Sequence, residues 1–184
     1  MARASDAFGA PAALGRRAFL RAVAALGLAA ALPAARPARA KGSLSEATRR
    51  LLEASGFVYV SPLRADGSES TCHGEVWFAW LDGAVLLITS RSSWKVRSLA
   101  GGSGRARLWV GDHGPWKQVV GRNEAFRSAP SFDARATASK DAVLLEHVLA
   151  RYREKYPDEI GRWEERFRSG FASGERVLIR YEPA

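Results

Sequence analysis

Thr89, Ser90, Ser93 and Lys95 lie in one short stretch of the chain, in an order that suits the binding of an anion. The apolar run 84–90 ends in two hydroxyls, and a serine-rich turn leads into a helix-compatible segment that bears Trp94, Lys95 and Arg97. Backbone N–H groups at the start of a helix favour negative charge. Hydroxyls add hydrogen-bond donors and a lysine adds a full charge, which together make the chemistry of a phosphate pocket. The same residues also suit a polar strand exit with solvated basic groups, and local spacing does not separate the two readings.

Other chemistries find less support. No Gly-x-Ser-x-Gly setting presents a nucleophilic serine. Cys72 is the single cysteine, so neither an internal disulfide nor a cysteine-based zinc cluster is available. His73, His113 and His147 form no helix-borne pair, and no metal site is expected. Gly101-Gly102-Ser103-Gly104 lacks dinucleotide-binding spacing and precedes a strand rather than a helix. Redox chemistry in this chain would therefore fall to a bound cofactor, with the protein orienting it.

The elements that must position these residues are mostly strands. Aromatic and β-branched residues mark strands at 57–61, 75–81, 84–90, 105–111, 116–126 and 175–181. Asp66-Gly67 marks a turn, and Asp82-Gly83 supplies the positive φ angles of a two-residue hairpin between 75–81 and 84–90. Helices are expected from Ser43 or Ser45 to Ala54, over 92–99, over 140–156 with Pro157 as its stop, and over 158–167. Hairpins without βαβ alternation predict a mainly β (α+β) fold, a six-stranded antiparallel barrel with peripheral helices.

The 184 residues carry 28 Lys+Arg against 19 Asp+Glu, a net charge of +9. Six of those arginines, against one aspartate, fall in residues 1–40. That segment runs Gly15-Arg16-Arg17-Ala18-Phe19-Leu20-Arg21, then an apolar stretch from Ala22 to Leu32, then Ala38-Arg39-Ala40. It resembles a twin-arginine export signal with an Ala-x-Ala cleavage site. The resemblance divides the chain into a signal at 1–40 and a domain at 41–184. It implies the twin-arginine export machinery as a partner and a periplasmic or extracellular destination. Such signals carry folded, often cofactor-loaded cargo. The modest charge of the remainder removes the case for nucleic-acid binding.

The order Asp66-Gly67, Val76-Trp77-Phe78, Leu86-Leu87-Ile88-Thr89, Lys95-Val96-Arg97-Ser98-Leu99 and Val119-Val120-Gly121-Arg122 resembles the pyridoxamine 5'-phosphate oxidase-like, FMN-binding split-barrel family over residues 46–126. The resemblance implies that Thr89, Ser90, Ser93 and Lys95 meet a flavin phosphate and ribityl chain, with Trp94 adjacent, and that Val76 and Trp77 line the isoalloxazine ring. His73 falls near the place of a phosphate-binding arginine. Gln118 or Trp116 would approach from the partner subunit, since family members are usually homodimers with flavin at the interface. Ser98 stands where the family has Asn, and Gly101-Gly102-Ser103-Gly104 stands for an Asn-Pro turn. The ending Arg180-Tyr181-Glu182-Pro183-Ala184 departs from that of a true vitamin B6 phosphate oxidase. The implied function is an FMN oxidoreductase acting on a small molecule. The alternatives are an F420-dependent reductase of the same fold, or a non-catalytic flavin- or haem-binding protein.

Overall fold

The computed structural model describes residues 44–115 and 122–184. The segment 1–40, expected to be an export signal, lies outside them, as do Trp116 and Gln118. Helix α1 (Glu46–Ala54) starts where Ser45 accepts a hydrogen bond from the Thr48 amide at 3.1 Å, and it buries Leu52 completely. Strands β1 (Val58–Pro62), β2 (Gly74–Val76), β3 (Ala79–Leu81) and β4 (Ala84–Ser90) follow. Helix α2 (Trp94–Gly101) and strand β5 (Arg105–Val110) come next, then a 3-10 turn at Ala125–Ser128 and strand β6 (Ser131–Ser139). Helices α3 (Ala142–Lys155), α4 (Pro157–Ile160) and α5 (Glu164–Ser173) precede the last strand, β7 (Arg176–Pro183).

The strands form one sheet in the order β2-β1-β5-β6-β7-β4-β3, with every pairing antiparallel. Its two edge strands, β2 and β3, are separated in the chain only by Trp77 and Phe78. A link that short reaches at most about 10 Å, so the edges must come together and the sheet curls into a barrel. One face of the strands encloses a core of Val58, Val60, Phe78, Leu87, Leu108 and Ile179, with α1 contributing Leu52. On the other face, Leu86 and Leu178 pack beneath α3, α4 and α5. Burial on both faces is why residues 84–88 are uniformly apolar instead of alternating.

The sheet has seven strands rather than the six expected from sequence. Residues 75–81 are not one strand, because the chain leaves β2 at Trp77 and crosses to the far edge as β3. The 116–126 expectation fails in its described part: Ala125–Ser128 is a 3-10 turn that sinks Phe126 fully, and β6 takes the place beside β5. Strand β6 gives a weak signal in the sequence because its inward residues after Phe132 are Ala134 and Ala136, whose period-2 pattern carries little hydrophobic contrast. The second helix is interrupted at Gly161–Trp163 and continues as α5 to Gly174, whose φ of +79° closes it. The Asp82-Gly83 hairpin forms as read, with φ of 49° and 70°. Among the described residues no helix is long and apolar enough to cross a membrane.

Candidate functional site

Strand β4 delivers Thr89 and Ser90 to opposite faces at its end. Thr89 is buried, and its hydroxyl donates to Ser93 Oγ at 3.2 Å. Ser93 is the N-cap of α2 and accepts from the Val96 amide at 3.4 Å. Ser90 is exposed and pairs with the Ser92 hydroxyl at 2.9 Å. The turn is thus wired by its own hydroxyls, which fixes where the first turn of α2 points.

Lys95 lies in that first turn. Its Nζ stands 4.5 Å from the centroid of the Trp94 ring, and burial holds its pKa below the ordinary lysine range. Among the described residues no carboxylate lies within 4 Å of it. A half-buried ammonium without a counter-charge is unfavourable, and a bound anion reduces that cost. Gly74 of β2 provides the room: a Cβ there would lie 3.1 Å from Trp94 Cζ2 and 3.9 Å from Lys95 Nζ. Gly74→Val is therefore expected to displace the Trp94 ring and the Lys95 head, and with them any anion held at Lys95, lowering the affinity for a phosphate ligand about tenfold or more with a shift in thermal midpoint of only a few degrees. Titration of FMN against both proteins, with melting curves of each, checks this.

Two residues beyond Gly74, and so one pleat of about 7 Å along the strand, stands Val76. Trp77 follows at the barrel corner and is held by α3. Its ring stacks on Tyr156 at 4.5 Å with an 8° interplanar angle, and its carbonyl accepts from the Tyr152 hydroxyl at 3.1 Å. The Tyr156 hydroxyl accepts from the Phe78 amide at 2.9 Å and donates to the Gly56 carbonyl at 2.8 Å. Burial raises the pKa of both tyrosines. Beside this corner opens a groove of about 250 Å³ lined by Val76, Trp77, Ile88, Tyr152, Trp163 and Phe167. The sequence does not mark the last three of these, the aromatics of the helical region, as site residues. Their own spacing signals only a packed helix face, and nothing local ties them to Trp77.

His73 takes a different place. Its ring is buried, with Nδ1 against Ser61 Oγ and Nε2 accepting from Arg127 Nη2 at 3.2 Å. An arginine donates only, so Nε2 is unprotonated and Nδ1 carries the proton. Burial, and then the Arg127 charge, hold the pKa of His73 below its ordinary value. Arg127 is shared with Glu69 at 2.9 Å and with Glu124. The structure therefore brings Trp94 and Lys95 against Gly74, links Thr89 to Ser93 at the start of α2, runs Val76 and Trp77 onward from Gly74, and directs His73 into this separate polar cluster.

No family model matches the sequence, and no curated protein matches it. Among solved structures the fold is similar to that of a conserved hypothetical protein of Mycobacterium tuberculosis, with a TM-score of 0.52 at 20% identity over 79% of this chain and 84% of that one. It is also similar to HutZ, the haem storage protein of Vibrio cholerae, with a TM-score of 0.50 at 17% identity over 77% of this chain and 90% of that one. At such identities the likeness establishes architecture alone: an antiparallel β-barrel with peripheral helices, shared with these two proteins.

Proposed function

We propose that this chain is an exported, homodimeric oxidoreductase that holds FMN by its phosphate and acts on a small molecule. The observation that carries the reading is the unpaired Lys95 ammonium beside the Gly74 gap, in the first turn of α2. Those residues fit a phosphate: the lysine supplies charge, while the Ser90 and Ser92 hydroxyls and the first amides of α2 supply donors. With a phosphate there, Val76 at the end of β2 and Trp77 just beyond it would border the rest of the ligand. The flavin, when bound, supplies a ring that accepts or gives a hydride. The chain's own part is orientation. Tyr152 and Tyr156 fix the backbone at Trp77 and Phe78, and the apolar flank of Val76 excludes water. Gln118 of a second copy would complete the site, and the signal at 1–40 suits export after loading.

The test is reconstitution of the full chain with FMN, riboflavin, F420 and haem, followed by absorbance spectra and titrations. FMN is expected to bind about tenfold or more tightly than riboflavin, since a charge-assisted phosphate contact contributes roughly 1.5–3 kcal/mol. Equal affinity for FMN and riboflavin would sink the phosphate anchor. Preference for F420, which shares the phosphate and planar-ring chemistry, would keep the anchor and change the cofactor. Haem binding alone would replace the redox reading with storage.

A further inference from the structure

The aromatic groove beside Trp77 has a charged rim that the phosphate site does not use. The Arg176 guanidinium stands 5.0 Å from the Phe167 ring centroid, and Arg166 stands 5.6 Å from that of Trp163. Both rings line the groove. Strand register places Arg176 opposite Ser90, two residues from Ile88, which faces Leu178 and lines the same groove. Arg176 thus belongs to the sheet face on which the groove opens.

Two neighbouring arginines are paired with carboxylates. Arg153 and Arg168 both clamp Glu164, and Arg168 also holds Glu146 at 2.9 Å. Among the described residues Arg166 and Arg176 have no carboxylate within 4 Å. Gly170 of α5 is shaped to the Arg176 stem: a Cβ there would lie 2.9 Å from both Cγ and Cδ. The stem therefore lies flat along the helix, and its guanidinium is held beside the Phe167 ring instead of ranging through solvent.

We infer that this groove binds a small planar aromatic anion, with the ring among Trp77, Trp163 and Phe167 and the anionic group on Arg176, seconded by Arg166. Its volume, about 250 Å³, falls just below the roughly 300–1,000 Å³ of drug-sized sites, which suits one or two fused rings. A guanidinium suits a carboxylate or sulfonate because its fork meets two oxygens at once. As the substrate of a redox reaction this ligand rests on the cofactor reading above, because Val76 and Trp77 border both places. As a bound ligand it does not.

Calorimetric titration of the full chain with 2-naphthoate and its neutral counterpart 2-naphthamide tests the inference. The carboxylate is expected to bind about tenfold or more tightly than the amide. Arg176→Gln should bring it down to the amide's level, and Arg166→Gln should cause a smaller loss. Gly170→Ala, which displaces the Arg176 stem and leaves the charge, should weaken naphthoate binding as well and serves if Arg176→Gln does not fold by circular dichroism. Lys95→Met should leave naphthoate binding unchanged, so this site and the phosphate anchor fail independently. Equal affinity for the two probes, no binding of either, or a folded Arg176→Gln protein that binds naphthoate like the parent would overturn the inference.

Discussion

Lys95→Met is expected to lower FMN affinity by one to two orders of magnitude and to leave riboflavin affinity where it was. The substitution keeps a long apolar stem against Trp94 and removes only the charge. What disappears is a hydrogen bond between an ammonium and a phosphate, worth about 1.5–3 kcal/mol, or roughly 10–150-fold. The unliganded variant should be as stable as the parent or slightly more so, because a poorly solvated ammonium has gone. A residue kept for stability would behave in the opposite way. The pH dependence separates the two roles further. The pKa of Lys95 is lowered by burial from its ordinary 10.5, so the unfolded chain binds more protons between the folded value and 10.5. Stability of the unliganded protein therefore gains from Lys95 as pH rises through that window. FMN affinity falls over the same rise, because the phosphate stays dianionic while the ammonium is lost. Titrations across the alkaline range, with melting curves at each pH, read both slopes. In the Lys95→Met protein both contributions should vanish.

What was legible in the sequence was what short-range chemistry controls. Asp82-Gly83 specifies its hairpin because few other dipeptides adopt two positive φ angles readily. Ser45 and Ser93 cap α1 and α2 through their own side chains, and such caps act over three residues. The serine-rich turn into α2 was readable for the same reason, since Thr89, Ser90, Ser93 and Lys95 are neighbours in the chain. The Gly74 gap was not readable, because a missing side chain gains meaning only when Trp94 and Lys95 arrive against it from about twenty residues downstream. His73 shows the same limit. The family resemblance put it near the place of a phosphate-binding arginine, whereas Ser61 and Arg127, twelve and 54 residues away, stand at its two nitrogens. The break at Trp77–Phe78 belongs to this class as well. Residues 75–81 have strand composition throughout, and only closure of the barrel turns the middle of that run into a corner.

That corner carries the second large effect. Tyr156→Phe is expected to destabilise the protein by about 2–4 kcal/mol, lowering the thermal midpoint by roughly 5–15 °C. The ring would remain, so the stacking on Trp77 and the packing volume are unchanged and the loss is that of one hydroxyl. This hydroxyl serves the Phe78 amide as acceptor and the Gly56 carbonyl as donor, with the Phe78 carbonyl also within 3.1 Å. Phe78 is fully buried and cannot turn to water. Removing the hydroxyl strands a buried donor and acceptor together, each costing about 1–3 kcal/mol. Tyr152→Phe is the control. Its hydroxyl donates to the Trp77 carbonyl and has a weaker backbone hydrogen bond at Ile88, so its loss costs less, about 1 kcal/mol. Urea unfolding of the two variants should show lowered midpoints with an unchanged slope, the larger shift for Tyr156. If both variants move equally, the crossing between β2 and β3 is held by ring packing and not by the Tyr156 hydroxyl. In that case Val76 and Trp77, which share the crossing, owe their position to the aromatic stack as well. FMN binding by Tyr156→Phe would then match the parent, whereas a hydroxyl-held corner predicts that it weakens along with stability.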